Sequence, residues 1–413
     1  MVRDKRVLTP TQPINKRRDL RILWSSNSPT SYSGYGVFTK DLLSRLVKDG
    51  WPVAAVAFYG LQGHPVEIDG LKIYPQMAEP FGSDALVAHG LDWRANVIFT
   101  MQDVHTLNPS YLQQLKYWIP YFPCDKTPAP QLILNPLRYA YKLLTFSQFG
   151  QDTVQQAGFA STMIPEGTDV NIFKPLPNKQ ELRKKYSIPP NAIHFTMVAA
   201  NKENPPRKGF QEALEGFKLF SDKHPEAFLS IYIQQIAPEG FPITGYAHHL
   251  GLDGKILVRS DYHTVFKWVS EDINEIYNTA DILLHPSQTE GFGLCLIEAQ
   301  AAGIPVIIQR CQSMPELIIE GRTGVVAETM HKRFTNDLSF VNVADPKSIY
   351  EAMERQYKKL KDNPEQVSKD CRANVVDNYN IDTIVETQWI KYLEELQDKL
   401  LPLTPKPQEN TIK

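Results

Sequence analysis

The sequence predicts two α/β domains, each built on a parallel sheet with helices on both faces. Apolar strands alternate with amphipathic helices over residues 20–165, and the alternation restarts over residues 191–380. Between them lies a proline-rich connection, IPEGTDVNIFKPLPNKQ at 164–180. Because alternating strands and helices form parallel sheets, and because 413 residues ordinarily form more than one domain, we expect two domains joined by a hinge at 166–190.

The first array follows an arm, residues 1–19, that is mostly polar and that we expect to be flexible. Strands are predicted at LRILWSS, PVAAVAFYG, ANVIFTMQD and KLLTFSQ, and helices at VFTKDLLSRLVKDG and QFGQDTVQQAG. The aromatic run YWIPYFPCD, residues 117–125, has three interpretations: a platform on which a ligand stacks, a membrane-facing patch, or core packing.

The second array contains predicted strands at AIHFTMVAA, AFLSIYIQQ, GKILVRS, DILLHPS and IPVIIQ. Helices are predicted between them at KGFQEALEGFKLFSDKH, SEDINEIYNTA and GLCLIEAQAAG. One more amphipathic helix is predicted at 381–400, and the tail at 401–413 is expected to fray.

Composition and charge exclude several classes of protein. The formal net charge is −2, so there is no general basic field, and we expect no nucleic-acid partner. No apolar run approaches the ~18 residues of a membrane span, and the N-terminus lacks the apolar region of a secretory signal. The four cysteines have no metal-binding spacing and fit reduced thiols, so we expect a cytoplasmic protein. Seven basic residues within 1–21 leave open a weak peripheral contact with the inner membrane surface, although a solvated tail is the simpler interpretation.

Three stretches with polar or glycine residues follow predicted strands, at the sheet edge where open α/β sheets bind ligands. The first is SYSGYG, residues 31–36, in which Gly34 and Gly36 would let backbone amides approach an anion. As a dinucleotide fingerprint it is defective, because Thr39 occupies the third glycine position, and this weakens an oxidoreductase interpretation. A plain strand-to-helix turn is the alternative.

The second stretch is NKENPPRKGF, residues 201–210, which places Lys202, Arg207 and Lys208 just before a predicted helix. Cations combined with a helix N-terminus are typical of a diphosphate site. A solvated charged loop is the alternative.

The third stretch is SQTEGFGLCLIEAQAAG, with Glu290 in a loop and Glu298 just over one turn into the next helix. Since that helix is nearly all apolar, Glu298 should be buried and should need a hydrogen-bonding partner. Its carboxylate could accept hydrogen bonds from two vicinal hydroxyls such as those of a ribose. The amides that open the helix could hold a phosphate or a sugar hydroxyl; they belong to Gly291, Phe292, Gly293 and Leu294.

These stretches, in their order along the chain, resemble motifs of the retaining, nucleotide-sugar-dependent glycosyltransferases of family 4. HPSQTEGFGLCLIEAQAAGIPVI, residues 285–307, resembles the E-x7-E signature of that family. IPEGTDVNIFKP resembles its pNGvDxxxFxP hinge segment, and KENPPRKGF resembles its basic diphosphate motif. SGYGVFTKDL resembles the N-terminal glycine loop, although the usual glycine pair is here Ser33-Gly34. The resemblance spans about residues 20–325.

The resemblance implies the GT-B fold, in which two Rossmann-like domains face each other across a cleft. The acceptor-side domain would be residues 20–165, completed by a C-terminal helix, 381–400, that crosses back to it. The nucleotide-sugar-binding domain would be residues 191–380.

The resemblance also implies roles for the residues of the second domain. Glu298 would bind the ribose hydroxyls of the donor, and Glu290 would lie beside the donor sugar. Lys208, with Lys202 or Arg207, would face the diphosphate. The backbone near Arg259 to Tyr262 would hold the base.

In the first domain, Gly34 and Gly36 would approach the phosphates from the opposite side of the cleft. Asp103 and His105, in TMQDVHTL, follow a predicted strand at the position where the family often has a cleft histidine. An ordinary loop histidine is the alternative for His105.

The implied activity is transfer of a sugar from a nucleoside-diphosphate sugar to an acceptor hydroxyl with retention of configuration. The cations and backbone amides would stabilise the departing diphosphate, so no metal and no other cofactor is expected. A non-catalytic nucleotide-sugar-binding protein and a sugar-nucleotide epimerase of the same fold are the alternatives. The base, the sugar and the acceptor, whether glycan, lipid, protein or another molecule, are left open.

Overall fold

Two parallel sheets, one in each half of the chain, form the framework of the molecule. The structure is a computed structural model that describes residues 17–234, 240–259 and 269–402. Residues 1–16 of the predicted arm and 403–413 of the predicted tail therefore lie outside the described residues. The predicted alternation of strands and helices is present in both halves.

The first sheet has eight strands in the order β3-β4-β2-β1-β5-β6-β7-β8. All neighbours are parallel except β3 and β4. Its central strands are nearly continuous apolar runs, as expected for strands covered on both faces. The strands are β1 Ile22–Asn27, β2 Val53–Tyr59, β3 Val66–Ile68, β4 Leu71–Tyr74, β5 Val97–Met101, β6 Trp118–Phe122, β7 Leu144–Thr145 and β8 Thr162–Met163.

The second sheet has six parallel strands in the order β11-β10-β9-β12-β13-β14, and β15 and β16 form a separate antiparallel hairpin. The strands are β9 Ile193–Ala200, β10 Ala227–Gln234, β11 Ile256–Arg259, β12 Ile282–His285, β13 Val306–Gln309, β14 Gly324–Ala327, β15 Thr329–Phe334 and β16 Phe340–Ala344. The hairpin reaches the first domain, where Phe340 pairs with Thr127 in an isolated bridge and Asp337 forms an ion pair with Lys126.

Helices connect the strands and close the chain. They are α1 Gly34–Lys48, α2 Ser83–Trp93, α3 Pro109–Leu112, α4 Gln131–Leu137, α5 Gln148–Gln156, α6 Lys179–Lys185, α7 Phe210–Lys223, α8 Ile243–His249, α9 Ser270–Thr279, α10 Leu294–Ala301, α11 Pro346–Asp362, α12 Pro364–Asn378, α13 Ile381–Ile384 and α14 Ile390–Leu400. A single π turn, Val385–Trp389, joins α13 to α14. None of the described helices is long and apolar enough to cross a bilayer.

The aromatic run at 117–125 is core packing. Its central part forms β6, in which every residue is buried, so these rings are not free to stack with a ligand or to face a membrane. The indole N–H of Trp118 donates to Thr100 Oγ1 at 3.0 Å, and the Tyr121 hydroxyl donates to the carbonyl of Ile164 at 3.0 Å.

The C-terminal helices return to the first domain and complete its core. The Trp389 ring lies 5.6 Å from that of Trp24 and 5.2 Å from that of Tyr121, measured between ring centroids, and it contacts Phe99 as well. Gln397 Oε1 accepts hydrogen bonds from the backbone amides of residues 19 and 20 at 2.7 and 3.1 Å.

Residues 17–19 belong to the first domain, which corrects the prediction that the flexible arm extends to residue 19. The Arg18 side chain is only 7% exposed and forms ion pairs with Asp49 at 2.7 Å and Glu394 at 3.0 Å. Arg17 Nη2 donates to the carbonyl of Leu401 at 2.6 Å, so the two described ends of the chain meet. These charged contacts explain why a stretch that is polar in sequence is nevertheless fixed.

Candidate functional site

A cavity of about 680 Å³ lies between the two domains, at the carboxyl ends of the strands of both sheets. This is where ligands bind in open α/β sheets. All but two of the predicted site residues line this cavity. The predicted residues on its wall are Gly34, Asp103, His105, Lys202, Arg207, Lys208, Glu290, Gly291, Phe292, Gly293, Leu294 and Glu298.

The structure does not bring Gly36 and Arg259 to the cavity. Gly36 is buried, and a Cβ atom there would collide with the carbonyl oxygens of Ser31 and Ser28, so this glycine allows close packing at the start of α1. Arg259 Nη2 lies 3.5 Å from Ser187 Oγ, away from the cavity wall. Residues 260–262, where the resemblance placed more of the base-binding backbone, lie outside the described residues.

Two helix N-termini face each other across the cavity. Ser33 caps α1, because its hydroxyl accepts a hydrogen bond from the Gly36 amide at 3.1 Å. A Cβ atom on Gly34 would lie 3.6 Å from Leu294 Cδ1, at the start of α10 in the other domain. Gly293, the cap of α10, has φ of 119°, which favours glycine. The positive ends of both helix dipoles therefore point at the same space, as an anion site requires.

Glu290 is the centre of a charged cluster at the loop before α10. It is 9% exposed and forms an ion pair with Lys208, accepts a hydrogen bond from His285 Nε2 at 2.9 Å, and lies 3.9 Å from Arg207 Nη1. Burial alone would raise the pKa of the Glu290 carboxyl, but Lys208, His285 and Arg207 outweigh it and hold that pKa well below its usual range. Glu290 is therefore ionised and fixed in place.

Cations are concentrated on the same wall. Burial lowers the pKa of the Lys202 ammonium, and the nearby charges of Arg207 and Lys208 lower it further. Asp103 and Glu203 oppose this shift without cancelling it. An anionic ligand at this position would relieve the remaining repulsion between the cations.

Glu298 has the hydrogen-bonding partner that the apolar sequence around it led us to expect. The Tyr277 hydroxyl donates to Glu298 Oε2 at 2.8 Å, which confirms the expectation that a carboxylate in this helix must be hydrogen-bonded. Burial raises the pKa of the Glu298 carboxyl to about 7, although the Tyr277 hydrogen bond opposes that shift. Among the described residues, no hydrogen bond is made to its other oxygen, and Glu298 lines the cavity.

The first domain supplies an acidic wall. Asp103 and His105 follow β5, and Asp125 and Lys126 follow β6. Burial, followed by the neighbouring charge of Asp125, raises the pKa of the Asp103 carboxyl, while His105, Arg207 and Lys126 oppose the shift. The two carboxyl groups therefore lie close together and within electrostatic reach of the cations on the opposite wall.

Sequence reasoning missed several side chains that line the cavity. Asp125 and Lys126 would have been found if β6 had been predicted as a strand, because they lie at its carboxyl end. Glu166 stands where the family hinge motif pNGvD has asparagine, and this departure was visible in the sequence. Tyr277, the partner of Glu298, lies on α9, and nothing in its local sequence connects it with α10. Among the described residues, no group of three or more His, Cys, Asp or Glu side chains is placed to hold a metal ion.

Known proteins share this architecture. Sucrose-phosphate synthase from Thermosynechococcus elongatus superimposes with a TM-score of 0.71 at 15% identity, covering 91% of this chain and 99% of that one. Anabaena Alr3699/HepE, solved in complex with UDP-glucose, superimposes with a TM-score of 0.67 at 15% identity, covering 91% of this chain and 100% of that one. The chain has the GT-B fold. The fold predicted from the sequence is thereby confirmed.

Residues 178–341 of this GT-B chain match the model of the family Glycosyl transferases group 1. Curated relatives include D-inositol 3-phosphate glycosyltransferases of Corynebacterium glutamicum strain R, 29% identical over 174 residues, and Streptomyces scabiei, 26% identical over 205 residues. The matched segments cover 40% and 48% of this chain, and the chain spans 39% and 43% of the length of those two relatives. The family model thus matches part of the hinge and most of the second domain.

Proposed function

We propose that this protein is a retaining glycosyltransferase of family 4, which moves a sugar from a nucleoside-diphosphate sugar to an acceptor hydroxyl. The observation that carries the proposal is the Glu290 cluster. An ionised carboxylate, held by Lys208 and His285, lies at the N-terminus of α10 in a cavity that both domains line. One turn further along α10, Glu298 presents a second carboxyl group to the same cavity.

In this proposal the donor diphosphate binds to the second domain. Lys202, Arg207 and Lys208 offer cationic donors, and the amides of residues 291–294 open α10. The α1 N-terminus approaches from the other domain. Glu298 accepts hydrogen bonds from the ribose hydroxyls. The neighbour HepE, described with UDP-glucose, supports a nucleotide sugar as the donor class.

Fixed positive charge is the main contribution of the protein to the chemistry. The bond between the anomeric carbon and the departing phosphate oxygen breaks, and the acceptor oxygen bonds to the same face of that carbon. The acceptor proton passes to the departing phosphate oxygen. Cations and amides aimed at this oxygen stabilise the charge that develops there, so the reaction needs no metal ion. Closure of the two domains excludes water and limits hydrolysis of the donor.

The acceptor lies against the first domain. Asp103 and His105 are the candidates for hydrogen bonds to its reacting hydroxyl, and Asp125 lies beside them. Because this wall is acidic, it favours an acceptor that carries hydroxyl groups rather than phosphate or carboxylate groups at the contact.

The test is release of nucleoside diphosphate from UDP-glucose, GDP-mannose and ADP-glucose in EDTA, with and without a panel of acceptors. Turnover of one donor that Glu298→Ala reduces at least tenfold, and that Glu365→Ala leaves unchanged, supports the assignment. Glu365 is a suitable control because its side chain is 87% exposed on α12. The product's anomeric configuration, read by NMR, tests retention.

The same assay separates the two alternatives. A sugar-nucleotide epimerase would convert a donor without any acceptor and without releasing nucleoside diphosphate. A binding protein would bind one donor and release nothing with every acceptor tried. Failure to bind any of the three nucleotide sugars would contradict the donor-site assignment itself.

A further inference from the structure

Glu166 is a buried carboxyl group in the hinge segment that has no hydrogen-bonding partner among the described residues. It is 3% exposed, and its side chain lines the cavity between the domains. The chain beside it is held firmly: the Tyr121 hydroxyl donates to the carbonyl of Ile164, and the Thr168 amide donates to the carbonyl of Tyr379 at 2.9 Å. A buried polar group without a partner is costly, so its presence calls for an explanation.

The groups around Glu166 are acids and phenols. Glu290 and Glu298 face it from the second domain, Tyr35 faces it from α1, and Tyr121 faces it from β6. Burial, followed by the charges of Glu290 and Glu298, raises the pKa of the Glu166 carboxyl to about 8. Tyr121 already uses its hydroxyl proton in the bond to Ile164. At neutral pH the Glu166 carboxyl group is therefore protonated, and no described residue accepts a hydrogen bond from it.

We propose that Glu166 contacts the donor substrate as a neutral carboxylic acid, donating a hydrogen bond to an oxygen of its diphosphate or of its sugar. This inference rests on the proposed function, because it needs a nucleotide sugar in the cavity. A carboxylic acid can donate to an anionic oxygen, whereas a carboxylate at the same place would repel it. Glu166 would then favour donor binding only in its protonated form.

Two variants separate this role from simple packing. Glu166→Gln keeps the shape and a hydrogen-bond donor but cannot ionise, and Glu166→Ala removes the donor. Glu212→Gln is the matched control, since Glu212 is also a buried glutamate with a raised pKa but lies on α7, outside the cavity, where it accepts from Gln288 at 3.1 Å. Thermal unfolding first establishes that each variant is folded.

The measurement is calorimetric binding of UDP-glucose, GDP-mannose or ADP-glucose, whichever binds, and of its nucleoside diphosphate, between pH 6.5 and 9. The part of the fall in wild-type affinity that Glu166→Gln removes is expected to reach about tenfold per pH unit above pH 8, as for one ionising group. Glu166→Gln is expected to bind within about threefold of wild type at pH 7 and to lose that fall, and Glu166→Ala to bind roughly fivefold more weakly. If the affinity for the nucleoside diphosphate also falls with pH, the contact is to phosphate. If only the affinity for the nucleotide sugar falls, the contact is to the sugar.

Proton uptake gives a second readout that does not depend on absolute affinity. Titrations at pH 8 in buffers of different ionisation enthalpy should show proton uptake on binding by the wild type and by Glu212→Gln, and less uptake by Glu166→Gln. If Glu166→Gln keeps the same pH dependence and the same uptake, the inference is wrong. A Gln variant more than tenfold weaker at pH 7 would also overturn it, because Glu166 would then act as a carboxylate. If neither wild type nor variant binds any of the three nucleotide sugars, the proposed function has failed as well.

Discussion

The two walls of the cavity differ in how their charged groups are satisfied. On the second domain, Glu290 is held by Lys208 and His285, and Glu298 is held by Tyr277. On the first domain, the carboxylates of Asp103 and Asp125 accept no hydrogen bond from any described residue, and both line the cavity. In the proposed function the second-domain wall is the donor wall and the first-domain wall is the acceptor wall. The donor wall is then organised before a ligand arrives, whereas the Asp103 and Asp125 carboxylates of the acceptor wall are left for the ligand. The rate of the reaction should therefore depend chiefly on the donor wall, and the choice of acceptor should depend chiefly on the acceptor wall.

The largest effect is expected from Lys208→Ala. It removes a cation from the departing diphosphate and leaves the buried Glu290 carboxylate with one cation fewer, so turnover should fall about 100- to 1,000-fold. The measurement is nucleoside diphosphate release at saturating donor. Lys218→Ala is the control, because Lys218 lies on α7 and pairs with Asp222, one turn further along the same helix. If the Lys208→Ala variant releases nucleoside diphosphate at nearly the wild-type rate, the Lys208 charge does not stabilise the departing diphosphate.

Replacing the acidic pair should change acceptor use while sparing the donor. Asp103→Asn and Asp125→Asn are expected to reduce kcat/KM for the acceptor about tenfold each, with donor affinity within about twofold of wild type. The wild type should have a lower kcat/KM for a phosphorylated acceptor sugar than for the same sugar without phosphate. The ratio of these two kcat/KM values should be closer to one in the variants. Asp152→Asn, at an exposed position of α5, is the control. Equal losses in donor and acceptor binding would contradict the division between the walls.

The titration of Glu298 should appear in the stability of the protein. Burial raises the pKa of this carboxyl from 4.5 to about 7, so the folded state binds the proton more tightly than the unfolded state. The stability that it contributes is fully present below about pH 4.5 and is lost as pH rises through about 7. Between pH 5 and 8, the free energy of unfolding of Glu298→Gln should therefore fall less than that of the wild type. Chemical denaturation at several pH values measures it, and parallel curves would refute the shift.

The smallest effect is expected at a contact that joins the two domains away from the charged cluster. The Glu316 carboxylate accepts hydrogen bonds from the backbone amides of Gln148 and Phe149, at 2.9 and 2.7 Å, at the N-terminus of α5 in the first domain. Glu316→Ala should destabilise the protein by about 1 kcal/mol, the usual cost of losing a helix cap. Thermal unfolding measures this, with Glu365→Ala as the control. An unchanged melting temperature would show that the two domains hold together without this contact.

The donor wall could be predicted from sequence because its parts are local. Glu290, the glycine loop and Glu298 all fall within one strand–loop–helix unit, so spacing alone places them at one edge of the sheet. Gly36 shows the limit of that reasoning. A glycine near a helix start is required equally for approach to an anion and for close packing, and only coordinates distinguish the two.

The acceptor wall and the edges of the fold could not be predicted in the same way. Asp125 follows β6, whose aromatic residues and internal proline concealed a strand, and Glu166 belongs to the hinge segment, whose place on the cavity wall the sequence does not show. The hairpin of β15 and β16 has mostly exposed or half-buried residues in its first strand, so it lacks the buried apolar run that marked the other strands. Strand β8 has two residues, too few to produce a pattern, whereas the equally short β7 lies within the apolar stretch KLLTFSQ and was predicted.

The position of Trp389 has a consequence for the order in which the molecule can be made. Trp24, Phe99 and Tyr121 leave the ribosome long before Trp389, yet their rings pack against it. During synthesis, the first domain cannot complete its aromatic core until the second domain has been translated and α13 and α14 have emerged from the ribosome. A premature stop before residue 381 would leave that core open in the nascent protein, so a segment translated after the second domain is needed to complete the first domain.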